Sequence, residues 1–253
     1  MVVATPAVTV TAVGSGDAFG SGGRLQTCYH VAVGEGAFLI DCGATVLVGL
    51  KRLGLDPNAV HTVFITHFHL DHFFGLPLFI LDAQFGARRR TPLAVVGPTG
   101  IGERLKTVME LAYPGSSTAR RRFETEIVEL AAGGAVEVNG VAATAIGVSH
   151  GDPGGPNFGY RLTAAGRTVA YTGDTEWTDA LIDLGRDADL LIAETYMAEP
   201  KAPLHLDLRT LTEKLPEIGA KRVLATHMSD AVLAADLPEG VERSRDGLVL
   251  EVS

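Results

Sequence analysis

The chain has 253 residues, 46% of them hydrophobic and 20% charged, a mix that builds a globular core and excludes a disordered or fibrous chain. Its formal charge of -9 argues against an extended grip on nucleic acid, because non-specific affinity for a polyanion comes from Lys and Arg neutralising phosphates. No stretch reaches the roughly 18 to 20 uninterrupted apolar residues of a membrane span, and the opening MVVATPAVTVTAV lacks the basic residues that precede a secretory core, so a cytoplasmic protein is expected.

In chain order, Val8 to Val13, Tyr29 to Val33 and Phe38 to Ile40 read as strands, the last two joined by a turn at Gly34-Glu35-Gly36. Ala44 to Leu53 has helical spacing and closes on Gly54; Val60 to Ile65 is a short apolar strand. A helix is predicted over Asp71 to Phe85, a strand over Leu93 to Val96 and a helix over Gly102 to Ala112. Short strands follow, of which Val141 to Val148 and Thr168 to Tyr171 are the clearest. The last quarter alternates: helix Trp177 to Leu184, strand Leu190 to Ala193, helix Asp207 to Leu215, strand Arg222 to Ala225. That alternation is expected where helices cover a sheet. No low-complexity linker or internal repeat divides residues 1–253, so one α/β domain is expected. Cys28 and Cys42 fall in neighbouring strands and read as reduced core thiols rather than a disulfide framework.

The chemistry concentrates where apolar strands stop. Directly after Val63-Phe64-Ile65-Thr66, three histidines and an aspartate fill four of the six places from His67 to His72. His67 and His69, two apart, can face one metal, while Asp71 and His72, at the start of a helix, can reach a second. One short segment cannot complete two coordination shells, and three further residues follow strand ends: His150, Asp174 and His227.

THFHLDH (Thr66 to His72), with His150, Asp174 and His227 following in that order, resembles the metallo-β-lactamase superfamily. The resemblance runs from VGSGDAF (Val13 to Phe19) to THMSD (Thr226 to Asp230). It implies a four-layer αββα sandwich with two divalent ions on one edge. His67, His69 and His150 would hold one ion, Asp71, His72 and His227 the other, and Asp174 would bridge them. GSGDAFGSGGRLQTC, DLLIAETY (Asp189 to Tyr196) and His205 in APLHLDLRTL are similar to the ribonuclease Z-like branch. In that branch a histidine ahead of a helix acts as general acid, which implies that role for His205, with Glu194 orienting it by accepting a hydrogen bond.

The tRNA-processing members carry a long arm between their third and fourth metal motifs. Here only 24 positions separate His150 from Asp174, and GDPGGPNFGYRL (Gly151 to Leu162) reads as a Gly/Pro turn running into a strand. That spacing is more similar to the branch's small phosphodiesterases. The expected function is therefore hydrolysis of small or cyclic phosphodiesters by a hydroxide bridging two metals, with a small anionic substrate. Two divalent ions against two aspartates and a hydroxide leave about one positive charge to attract it. Zinc suits the His and carboxylate donors, with manganese or iron also compatible. The readings left open are a hydrolase of a lactone, carboxylic or sulfate ester, an arm-less ribonuclease Z-like nuclease, a non-enzymatic metal-binding protein, and a homodimer. Arg88-Arg89-Arg90 and Arg120-Arg121-Arg122 are either solvated faces or phosphate contacts, and Tyr113 to Thr118 is a candidate mobile rim of the site.

Overall fold

A computed structural model describes residues 7–151, 156–199 and 203–253. Six strands come first: β1 (Val8–Gly14), β2 (Cys28–Val33), β3 (Gly36–Ile40), β4 (Val60–Phe64), β5 (Leu93–Pro98) and β6 (Thr125–Leu130). Eight follow: β7 (Ala135–Val138), β8 (Val141–Gly147), β9 (Phe158–Ala164), β10 (Arg167–Tyr171), β11 (Leu190–Glu194), β12 (Val223–Thr226), β13 (Val241–Arg243) and β14 (Val249–Val252). They form two seven-stranded sheets, in the orders β14-β1-β2-β3-β4-β5-β6 and β13-β12-β11-β10-β9-β8-β7. Each sheet is mixed. β3 to β6 run parallel in the first and β10 to β13 in the second, while the remaining pairs are antiparallel.

The period of two along each strand sorts side chains between two faces. In β4, Phe64 points between the sheets, where it meets Tyr29, Phe38, Phe158 and Tyr160, while Val63 faces outward with Leu39 and Val95. That outer face is covered by α1 (Val46–Leu53), the short α2 (Leu70–Phe73), α3 (Gly75–Phe85) and α4 (Ile101–Ala112). The outer face of the second sheet is covered by α5 (Ala180–Gly185), α6 (Leu208–Ile218) and α7 (Asp230–Ala234). The four layers are the expected αββα sandwich. Asp207 caps α6 by accepting from the Thr210 amide at 2.8 Å, and Gly54 closes α1 with φ of 66°.

Two expectations about local structure change, and a third lies partly outside the described residues. The helix expected over Asp71 to Phe85 divides after Phe73, because the chain at Gly75 presses onto the Cys42-Gly43 turn. A Cβ at Gly75 would lie 2.1 Å from the Gly43 carbonyl oxygen, and its amide donates to Cys42 O at 2.8 Å. The helix expected from Trp177 begins only at Ala180. Of the turn expected over Gly151 to Leu162, residues 152–155 lie outside the described residues; Phe158 onward is β9. Cys28 and Cys42 are free and buried. No helix among the described residues is long and apolar enough to cross a membrane.

Because the parallel strands share a direction, their C-terminal ends open on one edge of the sandwich and their N-terminal ends on the other. His67 follows β4, Asp174 follows β10, Glu194 ends β11 and His227 follows β12. The arginine runs precede β5 and β6, so they belong to the opposite edge. Arg89 is buried there, donating to the carbonyls of Thr91, Pro57 and Pro92. Arg121 donates to Ser116 O at 3.1 Å. Tyr113 to Thr118 is also at that edge, since α4 carries the chain away from the end of β5. Glu110 ties it down by accepting from the amides of Gly115 and Ser117 at 2.7 and 3.0 Å. The readings of the arginines as phosphate contacts and of this segment as a rim of the site are both corrected.

Candidate metal centre

The residues singled out in the sequence converge at the C-terminal edge in two groups. His67, His69, His150 and Asp174 present donor atoms within 4.8 Å of one another, and so do Asp71, His72, Asp174 and His227. Asp174 is common to both. Its Oδ1 lies 3.2 Å from His72 Nε2, and its Oδ2 lies 3.4 Å from His227 Nε2, 3.8 Å from His150 Nε2 and 3.9 Å from His67 Nε2. Asp71 Oδ2 is 3.0 Å from His227 Nε2 and 3.2 Å from His72 Nε2, and His69 Nδ1 is 3.2 Å from His150 Nε2. Two donors on a tetrahedral ion at about 2.0–2.1 Å are themselves about 3.3 Å apart. These spacings bracket that value.

His67 Nε2, His72 Nε2 and Asp174 Oδ1 are buried without a hydrogen-bond partner. Buried polar atoms left unpaired are costly, and here they point at one another, which a cation between them would reward. The donor set, imidazole nitrogen and carboxylate oxygen, suits divalent metal. The group that the fold implies therefore fits the residues present.

The supporting contacts set which ring nitrogen is free. His72 Nδ1 donates to Asp41 Oδ2 at 2.7 Å. Thr66 donates to Asp41 from its amide and its hydroxyl, and its Oγ1 can then accept from His67 Nδ1 at 2.9 Å. One buried carboxylate thus holds two histidines with Nε2 turned to the centre. His150 Nδ1 donates to Leu204 O at 2.7 Å, freeing its Nε2 in the same way. Asp41, Leu204 and His227 all have positive φ, at 57°, 79° and 55°, conformations that non-glycine residues rarely adopt and that concentrate at functional sites. Asp41 and Leu204 were not singled out in the sequence. An aspartate directly after the apolar run Phe38 to Ile40 was a signal of the same kind as His67; Leu204 acts through a carbonyl and left none.

Charge in the cluster is tightly balanced. Burial raises the Asp41 carboxyl, although His72 draws it back. Burial would also raise Asp174, but His227 and His72 beside it hold it well below the usual carboxylate range. His67 is pushed down by burial and by His72.

A third group joins Asp174, Glu194, His205 and His227. Glu194 is fully buried, and Oε1 accepts from His205 Nδ1 while Oε2 accepts from the Thr175 amide at 2.6 Å. His205 is stacked on His227, ring centroids 5.9 Å apart at 15°. With Nδ1 engaged, Nε2 is the nitrogen left to the cavity. Burial lowers the His205 pKa. The cavity, of about 590 Å³, is lined by His69, Asp71, His150, Asp174, His205 and His227 together with Phe19, Tyr196 and Leu204.

An αββα sandwich with a two-centre cluster of histidine and aspartate on one edge defines a class, and residues 37–228 match the beta-lactamase superfamily domain. The chain belongs to the metallo-β-lactamase superfamily. It is similar to ribonuclease Z of Geobacillus kaustophilus, 29% identical over 244 aligned positions that cover 76% of this chain and 78% of the relative. Human tRNase Z, short form, superposes with a TM-score of 0.80 at 24% identity, covering 97% of this chain and 99% of that one. A diphosphatase from the PhnP family superposes with a TM-score of 0.78 at 22% identity, over 97% and 98% of the two chains. The chain is a metal-dependent hydrolase by this kinship.

Proposed function

We propose that the protein is a phosphodiesterase acting on small or cyclic phosphodiesters, with a dinuclear centre of divalent ions, zinc by the chemistry of its donors. His67, His69 and His150 would hold one ion and Asp71, His72 and His227 the other, with Asp174 shared between the two groups. When bound, the ions supply a water acidic enough to attack at neutral pH and stabilise charge on the phosphoryl oxygens. Asp41 keeps His67 and His72 in the ligating tautomer, and Leu204 does so for His150. His205 delivers a proton from Nε2 to the departing oxygen, and Glu194 holds the ring through Nδ1. Asp71 takes part by orienting the reacting water as well as by ligation.

The observation that carries this reading is the placement of His205. A proton donor is of most use where the leaving group is a poor alkoxide, as in alkyl phosphodiesters, and of little use to a purely structural metal site. The small substrate is supported by the spacing of 24 from His150 to Asp174, too short for an extended arm. It is also supported by the aligned length, since 244 positions take in only 76% of this chain and the Geobacillus ribonuclease Z therefore has segments without a counterpart here. The kinship itself favours a second reading, an arm-less nuclease acting on RNA. A panel decides between them: bis(p-nitrophenyl) phosphate, 2′,3′-cyclic nucleotides, a tRNA precursor, an aryl sulfate and a lactone, with zinc-loaded protein. Preferential turnover of the phosphodiesters is expected. Preference for the tRNA precursor establishes the nuclease, and preference for the sulfate or lactone overturns phosphodiester chemistry.

A further inference from the structure

The lining of the cavity combines two chemistries: histidines and aspartates, and the apolar or aromatic side chains of Ala18, Phe19, Tyr196 and Leu204. Phe19 is 84% exposed, the most open large apolar side chain among the described residues. Its exposure does not come from a loose loop. Asp17 accepts from the Ser21 amide and hydroxyl at 2.8 and 2.7 Å, Asp246 accepts from the amides of Ser15 and Leu25, and Gln26 donates to Ala18 O. Tyr196 packs on the histidines, its ring 4.8 Å from His205 and 5.8 Å from His227. A rigid loop thus presents an unpartnered aromatic ring at the mouth of a cavity, and a second ring lies on the histidines within it. Among the described residues, no Lys or Arg lines this cavity. Among the described residues, a second anionic group on a substrate would meet no Lys or Arg there, whereas a planar uncharged group would meet the rings of Phe19 and Tyr196.

We infer that Phe19 and Tyr196 form a stacking subsite for a planar aromatic group, a nucleobase or an aryl ring, esterified to a phosphodiester whose single charge faces the donor cluster. The inference rests on the phosphodiesterase reading and names its substrate class. Base–aromatic stacking tolerates any ring with a π face, and the loss of one such partner weakens binding on the order of 10-fold. Phe19 touches the substrate's bulk and not its reacting atoms, so its removal acts on KM more than on kcat.

The test uses three p-nitrophenyl esters that share a leaving group and differ in the retained one: thymidine 5′-phosphate, phenyl phosphate and methyl phosphate. In zinc-loaded protein, KM for a ring-bearing ester should be on the order of 10-fold below that of the methyl ester. Phe19→Ala should bring the ratio towards one, and Phe19→Trp should preserve it. A preference confined to the thymidine ester identifies the occupant as a base, and an equal one for the phenyl ester identifies any aryl ring. Absence of a preference in the wild type, or a preference that survives Phe19→Ala, overturns the subsite. If no ester is hydrolysed, the phosphodiesterase reading fails separately, and stacking is then read by fluorescence of Phe19→Trp above the constant signal of Trp177. Quenching by thymidine but not by dimethyl phosphate supports the subsite, and no quenching by thymidine overturns it.

Discussion

At the edge of the sandwich where β3, β4, β8, β10, β11 and β12 end, six histidines crowd around carboxylates, with ligand atoms left unpaired. At the opposite edge, where β5 and β6 begin, the basic residues are arginines, and the one that is buried, Arg89, has each of its donor groups on a backbone carbonyl. Both edges bury polar groups. The buried arginine is satisfied within the chain, whereas the histidine edge leaves ligand atoms facing one another, to be satisfied by something bound. This difference in pairing, more than any count of basic residues, separates a structural cluster from a chemical one.

The contrast breaks most sharply at Asp174. Asp174→Ala removes the carboxylate shared by both groups, and activity should fall by about 10³ or more, since the positions it joins supply several kcal/mol of charge stabilisation. The metal-to-protein ratio, read by atomic emission, should fall with it; an unchanged ratio would remove the bridging role. His205→Ala comes next. It should keep the metal and slow esters with alkoxide leaving groups by about 10² to 10⁴, with a much smaller effect on p-nitrophenyl esters. Equal losses on both would show that His205 is not the proton donor. Asp41→Asn should lower metal affinity by about 10- to 100-fold, measured by competition with a chelator, because His67 and His72 lose their common anchor.

Much of the histidine edge was legible in the sequence because position and residue type agreed. His67, His69, Asp71, His72, His150, Asp174 and His227 all follow strands that read as apolar runs, and the structure brings their donor atoms together. Glu194 and His205, placed by resemblance, meet as expected. Asp41 escaped because an aspartate after a strand is also what a turn requires, and only the distance to His72 separates the two meanings. The arginine runs left the phosphate-contact reading open because three like charges in a row are conspicuous. Their position just before β5 and β6 in fact pointed away from the site. The break before Gly75 had no signal in helical spacing, since it depends on a turn more than 30 residues earlier in the chain.

A smaller effect sharpens the contrast from the arginine edge. Arg89→Met removes the partner of three carbonyls in a buried place, and the fold should lose about 2–3 kcal/mol, seen as a lower Tm. Turnover per folded molecule should not change. A variant that melts normally but turns over slowly would mean that the arginine edge communicates with the site.

The smallest effect is a response to alkali that belongs to the histidine edge. Tyr29 lies in β2 beneath the site, fully buried, with its hydroxyl donating to Thr226 and paired with Ser244. Burial pushes its pKa up from 10.0 to about 12, against the opposing hydrogen bonds of Ser244 and Thr226. A phenol whose pKa is raised in the folded state is fully stabilising below its unfolded value, here near 10, and that stability drains away as pH rises towards 12. The wild type should therefore lose stability between pH 10 and 12, with Tyr29 contributing on the order of 1–2 kcal/mol. Thermal melts of wild type and Tyr29→Phe at pH 8 and pH 11 isolate that share. The variant starts lower at pH 8, having lost the hydroxyl's bonds, but should decline less between the two. Parallel declines would place the alkaline weakness elsewhere, with Cys28, Cys42, Tyr160 and Tyr171, which burial also holds protonated, as the remaining groups.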